Sequence, residues 1–345
     1  MTGTHWHIAI VGAGAIGCRV AAHLAQAGVA TTLFDGWAEH VAALNRDGLT
    51  LEHHGREMVF PVRAYGFDAM PEERFDLVLL AVRSDDTAAA LPLVERLLAP
   101  EGMVLSCQNG LNEEAIALAV GASRTLGCSL VLGARLTAPG RVAALPGPDT
   151  LRVGELDGSD SPRVRQLADL LAACGTATVT RNLLGYRWMK LVLNSIGNPL
   201  LLLSGETAAV LHEREPVRRA MIALAGEILA TAAASGAEPE PVLDLPAALW
   251  RSPGARSDER LHAALREHGR SLGPRRLSMV ADFEARGRTE VDHINGYVVA
   301  KALAHGRTAP LNAEVVRLVK QLEAGARKAG PESLQPLLDL LADPA

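Results

Sequence analysis

The hydrophobic pattern changes character partway along the chain. Up to about residue 180, short apolar runs alternate with amphipathic stretches. Ile8–Val11 is a run of strand length, and Arg19–Ala27 follows with helical spacing. Thr31–Asp35 reads as a second strand and Ala38–Asn45 as a helix closed by Asp47-Gly48. Leu49–Glu52 and Met58–Val62 flank His53-His54-Gly55 and predict a hairpin inserted into the sheet. Asp76–Val82 reads as a buried parallel strand, with a helix through Leu98 and a strand over Gly102–Ser106. Residues 113–120 predict a helix, Thr125–Leu136 and Leu151–Gly154 strands, Ser161–Cys174 a helix and Thr176–Thr180 a last strand. Strand-like alternation then stops and long Leu- and Ala-rich helical patterns take over. The predicted boundary lies at 180–185, dividing the chain into residues 1–182 and 183–345.

Within the second half, Tyr186–Asn198 predicts a helix that kinks or ends at Asn198, because Pro199 disfavours helical geometry before it. Residues 216–235 predict a helix stopped by Gly236. Glu238–Pro274 is richer in proline, glycine and charge, with a helix over Asp258–Glu267, and reads as a flap or mobile loop. Glu290 opens a helix over Asp292–Ala304, and Ala313–Lys328 is a final long helix.

The first apolar run ends in Gly12-Ala13-Gly14-Ala15-Ile16-Gly17, a G-x-G-x-x-G spacing between a strand and a helix. Gly12 makes the tight turn, Gly14 lets a pyrophosphate approach the backbone, and Gly17 lets the helix pack close to the sheet. Free N–H groups at the helix start attract phosphate. Asp35, eighteen residues after Gly17, ends the second strand. Its carboxylate can accept from the ribose 2′-OH of NAD and repels the 2′-phosphate of NADP, so it favours NADH. The bland alternative is that Asp35 only caps the next helix. Arg83 and Asn109 sit at other strand ends, where open α/β sheets bind ligands.

The chain has 345 residues, enough for two domains, and a formal net charge of −5 without a basic stripe, which argues against a nucleic-acid partner. Cys18, Cys107, Cys128 and Cys174 form no C-x-x-C pair and read as small core residues in a reducing compartment. No metal-ligand spacing stands out, and His53-His54 reads as a solvated turn, since adjacent strand residues face opposite sides. Neither a signal peptide nor a membrane span is evident, which places the protein in the cytoplasm. The apolar helices of the second half are open to packing within the chain or across a homodimer.

Lys190 and Asn194 are four apart and share a helix face. Polar groups amid Leu and Val are costly to bury without a partner or ligand. A lysine suits reduction of a ketone, because hydride addition builds negative charge on the oxygen that an ammonium stabilises and protonates.

Taken in order, Gly12–Gly17, Gln108-Asn109-Gly110, Trp188-Met189-Lys190-Leu191, Asn194 with Asn198-Pro199-Leu200, Ser278-Met279, and Thr289–Gly296 followed by Ala304-His305-Gly306 resemble the ketopantoate reductases (2-dehydropantoate 2-reductases) over nearly the full length. The resemblance implies an α/β protein: a Rossmann domain, then an all-α domain, with the active site in the cleft between them. It implies hydride transfer from NAD(P)H to the ketone of a small 2-oxo acid, ketopantoate first. It implies Lys190 as the catalytic lysine, Glu290 as the active-site glutamate and Ser278 as a substrate-binding serine. Asn109, Asn194 and Asn198 would hold substrate or nicotinamide. Gly12, Ala13, Gly14, Ala15, Ile16, Gly17, Asp35, Arg83 and Asn109 would hold the cofactor. Three features depart from the family. Arg83 stands where lysine is common, Asp35 is acidic where many NADPH-preferring members carry a basic residue nearby, and the 238–274 segment is long. They favour a relative acting on another 2-oxo or 2-hydroxy acid. A non-catalytic NAD(P)-binding sensor is the remaining alternative, opposed by Lys190 and Glu290 occurring together.

Overall fold

In the computed structural model, which describes residues 6–69, 71–273 and 277–342, the chain divides into two units, Met1–Leu183 and Leu184–Ala345.

The first unit is built on ten strands: β1 Ile8–Val11, β2 Thr31–Phe34, β3 Leu49–His53, β4 Arg56–Phe60, β5 Arg63–Tyr65, β6 Phe75–Leu80, β7 Leu98–Ser106, β8 Thr125–Ala138, β9 Arg141–Glu155 and β10 Thr176–Val179. Its helices are α1 Ala15–Gln26, α2 Ala38–Asp47, α3 Thr87–Leu97, α4 Glu113–Val120 and α5 Pro162–Leu171. All strands join one sheet in the order β4-β3-β9-β8-β7-β6-β1-β2-β5, with β10 beside β9. The centre is parallel: Ile8 of β1 lies opposite Thr31 of β2 and Leu77 of β6. Alternate residues serve opposite faces. Ile8 and Ile10 join one core with Leu24 of α1 and Leu167 of α5, while Ala9 and Val11 join another with Val94 of α3 and Ile116 of α4. Each such buried Leu, Ile or Val stabilises the fold by about 1.5–3 kcal/mol. All four cysteines are buried in the first of these cores, as expected.

Several boundaries differ from expectation. Helix α1 starts at Ala15 rather than Arg19, with Gly14 as its extended N-cap, so Gly17 sits in the first turn. The predicted hairpin forms, with Leu49 opposite Phe60, but it lies at the sheet edge and joins through β3 to β9. It closes at Phe60 because Pro61 has no N–H for the ladder, and β5 follows unanticipated. His54 lies in the turn at φ +50°, so its ring stacks on His53 at 4.0 Å instead of facing away. Strand β9 begins ten residues before Leu151, at Arg141. Pro146 and Pro148 hide it in the sequence, and the β8–β9 ladder shifts register between Val131 and Gly133 nearby.

The second unit is helical: α6 Leu183–Ser204 (beginning on the first unit's last residue), α7 Ala208–Glu213, α8 Glu215–Ala234, α9 Ala247–Trp250, α10 Glu259–Leu272, α11 Ser278–Arg286, α12 Asn295–Ala304, α13 Pro310–Glu323 and α14 Gln335–Ala342. No described helix is long and apolar enough to cross a membrane.

Helix α6 does not end at Asn198 but continues through Pro199 to Ser204. Proline cannot donate to the carbonyl four residues back, which is that of Ser195. Asn295 Nδ2 supplies the missing donor, reaching Ser195 O at 3.3 Å. The 238–274 segment is not a flap or a mobile loop within its described residues. Trp250, Leu261 and Leu265 are fully buried, and α10 packs so closely on α7 that a Cβ at Gly269 would stand 2.5 Å from the Cβ of His212. Its last residue, Pro274, lies outside the described residues. The helix expected from Asp292 starts at Asn295, after a 3-10 turn at Val291–His293 and an irregular Ile294. The last predicted helix is shorter and earlier, closing at Glu323 ahead of Gly325 at φ +70°, and α14 was unforeseen.

Candidate active site

In the first unit the candidate residues collect at the carboxyl ends of β1, β2, β6 and β7. The chain from β1 crosses to β2 on one side, while β6 and β7 extend the sheet on the other. The ends of β1 and β6 therefore form a topological switch point, where such sheets bind ligands. Gly12 adopts φ +97°, and a Cβ there would stand 2.5 Å from Val82 N. A Cβ on Gly17 would stand 2.0 Å from Gly12 O, so this glycine keeps the loop against its own helix. At Gly14 an added Cβ would meet nothing within 4 Å. That open space, with no side chain capping α1 and no acid in its first turn, fits a pyrophosphate taken up by free N–H groups. Ala13 is buried, whereas Ala15 and Ile16 are partly exposed.

Beneath the loop sit two residues the sequence reading did not connect with it. Cys18 Sγ donates to Ala13 O at 3.0 Å and lies 3.4 Å from His40 Nε2, while His40 Nδ1 accepts from Gly140 N at 2.9 Å. Burial, reinforced by Asp35, pushes the Cys18 thiol far above its usual range, so it is a fastener rather than a nucleophile. Burial also lowers His40, against the pull of Asp35. Asp35 is half-buried, and its Oδ1 accepts from Trp37 N at 2.8 Å. The N-cap of α2 is Trp37, so Asp35 turns the chain ahead of the helix rather than capping it.

Arg83 is half-buried, with Nε 3.4 Å from Asp85 Oδ1. Its loop is tied to that of Asn109. Gln108 Nε2 donates to Val82 O (3.0 Å) and Thr87 Oγ1 (2.7 Å), while Ser84 Oγ and Asn112 Nδ2 both donate to Asn109 O, at 2.9 and 2.7 Å. The two strand-end loops thus form one hydrogen-bonded body.

In the second unit Lys190, Asn194 and Asn198 fall at successive i,i+4 positions of the unbroken α6. Lys190 and Asn194 are half-buried and Asn198 is buried. Asn198 Nδ2 reaches 3.5 Å to Ser278 Oγ, the exposed first residue of α11. Glu290 is buried at the start of the 3-10 turn, where its carbonyl accepts from His293 N at 2.9 Å. Next to it, Thr289 donates through both N and Oγ1 to Glu323 Oε1, each at 2.7 Å, and Lys320 Nζ lies 2.5 Å from Asp292. The structure therefore brings Asn198 and Ser278 together, seats Lys190 and Asn194 on the same helix face, and presents Glu290 from a turn clamped by α13.

The support of α6 is a relay of side chains that went unnoticed in the sequence. Glu227 of α8 accepts from Leu311 N (2.9 Å), Asn312 N (3.0 Å) and Asn312 Nδ2 (2.7 Å), filling the N-terminal donors of α13. Burial raises the Glu227 carboxyl above its usual range even against these donors. Asn295 then donates both to Asn312 Oδ1 at 3.0 Å and to Ser195 O. A proline inside a helical pattern signals one orphaned carbonyl, but not which residue will satisfy it. Among the described residues, no group of three or more His, Cys, Asp or Glu stands ready to hold a metal.

The chain matches the family described as Ketopantoate reductase PanE/ApbA over residues 8–158, and its C-terminal counterpart over residues 182–323. It is 29% identical to the 2-dehydropantoate 2-reductase of Pyrococcus abyssi over 92% of this chain and 98% of that protein. It is also 29% identical to that of Mesorhizobium japonicum, covering 91% and 97%. The PanE/ApbA family ketopantoate reductase of Ralstonia eutropha superposes with a TM-score of 0.77 at 27% identity, covering 92% of this chain and 99% of that one. D-mandelate dehydrogenase in its ternary structure with NADH and anilino(oxo)acetate shares the fold, with a TM-score of 0.81 at 24% identity over 92% and 99%.

Proposed function

This chain belongs to the ketopantoate reductase family, NAD(P)-dependent oxidoreductases, and from that premise we propose that it reduces the ketone of ketopantoate (2-dehydropantoate) to give pantoate. The observation that supports this most directly is the continuity of α6 through Pro199. At a rise of about 1.5 Å per residue, Lys190 and Asn198 lie roughly 12 Å apart along one helix, with Asn194 midway. That row carries one cation and two neutral amides, a set suited to a small acid with a reactive ketone.

The nicotinamide dinucleotide, when bound, supplies the hydride. Gly14 and the start of α1 would hold its pyrophosphate, with Arg83 and Asn109 as further cofactor-binding residues. Lys190 stabilises the charge growing on the ketone oxygen and delivers a proton to that oxygen. Asn194, Asn198 and Ser278 orient the substrate's carboxylate and hydroxyl without adding charge. Glu290, a buried acid, would serve as the active-site carboxylate that orients the lysine. Asp35 selects NADH, because its second carboxylate oxygen accepts from the ribose and repels a 2′-phosphate.

A second reading is favoured by Arg83. A guanidinium fork in place of the family's usual lysine grips a carboxylate bidentately and keeps its charge at any pH, which suits a different 2-oxo acid. Steady-state assays of nicotinamide oxidation distinguish the two, using ketopantoate and a panel of 2-oxo acids, each with NADH and NADPH. Ketopantoate should have the highest kcat/KM. A better substrate elsewhere in the panel selects the second reading, and nucleotide binding without any turnover rejects both. Asp35→Arg should move preference from NADH toward NADPH, and an unchanged ratio would remove Asp35 from cofactor selection.

A further inference from the structure

The chain carries five Phe, four Trp and three Tyr. Among the described residues only two of these rings are exposed, Trp37 and Phe67, each at 43%. The two are not scattered. They lie just beyond the carboxyl ends of β2 and β5, paired parallel strands that Asp35 N extends by donating to Tyr65 O at 3.1 Å. Gly36 stands between them. A Cβ there would stand 3.2 Å from Phe67 Cε2, so the bare glycine lets that ring lie against the end of β2. A single exposed aromatic is ordinary, whereas a pair bracketing one carboxylate at a strand end marks a binding surface.

Trp37 is held in place. Its indole stacks on His40 with ring centroids 5.3 Å apart and planes 11° from parallel. His40 is buried between Cys18 Sγ and Gly140 N, and Cys18 donates to Ala13 O of the glycine loop. The indole is therefore pinned to the same body that carries the loop, yet keeps much of its surface open. A ring fixed in this way loses little freedom when a flat ligand settles on it.

We propose, resting on the reading of the glycine loop and Asp35 as a dinucleotide site, that Trp37 and Phe67 are the aromatic seat of the cofactor's adenine. In adenosine the base is bonded to C1′ of the ribose, next to the carbon that bears the 2′-OH. A ribose held by Asp35 thus presents its base to the residues flanking that carboxylate: Gly36, Trp37 and, from the paired strand, Phe67. Adenine is flat and uncharged, and it stacks on aromatic faces without requiring a hydrogen bond. Asp35-Gly36-Trp37-Ala38-Glu39 contains no cation, so stacking takes the place that a basic residue fills where a 2′-phosphate is bound.

The test is calorimetric titration of the full-length protein with NADH and with ADP-ribose, which keeps the adenosine half and lacks nicotinamide. Trp37→Ala and Phe67→Ala should each weaken both ligands by about tenfold, the usual worth of one base–aromatic stack. Trp37→Phe keeps a ring and should stay within about threefold of wild type. ADP-ribose should quench the tryptophan fluorescence of the wild-type protein. Most of that quenching should vanish in Trp37→Phe, although Trp6, Trp188 and Trp250 remain, a signature that a purely structural role for Trp37 would not give. Unchanged ADP-ribose affinity in either alanine variant, or undiminished quenching in Trp37→Phe, overturns the aromatic seat and leaves the dinucleotide site standing. A wild-type protein that binds neither NADH nor ADP-ribose removes the dinucleotide site and the seat with it.

Discussion

The two units hold their candidate residues by opposite means. In the sheet unit the geometry belongs to the backbone: Gly12 at φ +97° against Val82 N, and Gly17 against Gly12 O, leave no space for a side chain. In the helical unit the geometry belongs to a side-chain relay, from Glu227 through Asn312 and Asn295 to Ser195 O. A backbone-built site is rigid and intolerant at a few positions. A relay-built site distributes its tolerance, and each member depends on the next being satisfied. On the proposed reading, the difference divides labour, with rigid phosphate geometry in the first unit and adjustable substrate geometry in the second.

The largest expected effect is on chemistry alone. Lys190→Ala should lower kcat by about 10²–10⁴-fold, the usual worth of a positioned proton donor, while nucleotide affinity measured by calorimetry stays near wild type. Near-normal turnover would leave the helical row without a catalytic role.

The glycine loop separates fold from binding. Gly17→Ala places its Cβ 2.0 Å from Gly12 O and should cost about 1–3 kcal/mol of stability along with nucleotide binding. Gly14→Ala meets nothing within 4 Å, so its stability should stay within about 0.5 kcal/mol of wild type while nucleotide affinity falls. Equal melting temperatures for the two variants would show that the loop is not held as tightly as its contacts suggest.

The relay should fail differently. Asn312→Ala strips Asn295 of one of its two acceptors and Glu227 of a donor, costing about 1–3 kcal/mol by leaving buried polar groups unpaired. Its signature should be a raised KM for the acid with unchanged nucleotide affinity, because the relay supports α6 and not the glycine loop. A loss of nucleotide affinity instead would break the proposed separation.

The smallest effect is on pH. His23, His40 and His53 in the sheet unit, and His212 in the helical unit, sit below their usual range, with burial the largest cause in each. At His23 and His53 the cation of Arg19 adds to it. A histidine with a lowered folded pKa contributes stability above its unfolded value of 6.5, and that stability is lost as pH falls below it, because the unfolded chain takes up the proton first. Melting temperature should therefore drop between pH 6.5 and 5, with hydrogen exchange rising first in the sheet unit. His23→Gln should flatten the profile, and an unaltered profile would place the acid sensitivity elsewhere.

Much of the first unit was legible because its signals are local. Apolar runs end at glycines, and Asp47-Gly48 and Pro139-Gly140 mark real turns. The failures came where a local rule was overridden from afar. Pro146 and Pro148 hid the first part of β9, which pairing with β8 makes viable. Pro199 announced a helix end that does not occur, and the carbonyl it orphans, that of Ser195, is met by Asn295 a hundred residues on. The polar residues of the second unit could be picked out as unusual amid apolar sequence, but not the contact of Asn198 with Ser278 eighty residues on.

By itself the sequence determined which elements form and which residues carry chemistry: the glycine spacing, Asp35, Lys190 and the asparagines all stand out through short-range periodicity and residue type. Only the tertiary structure decided whether α6 survives Pro199, that the 238–274 segment packs into the helical unit, and that Cys18 and His40 fasten the glycine loop. The physical reason is that satisfying a buried polar group is a long-range matter. A carbonyl orphaned by proline, or a buried carboxylate such as that of Glu227, states a demand in the sequence, and the group that meets it arrives from wherever packing brings the chain.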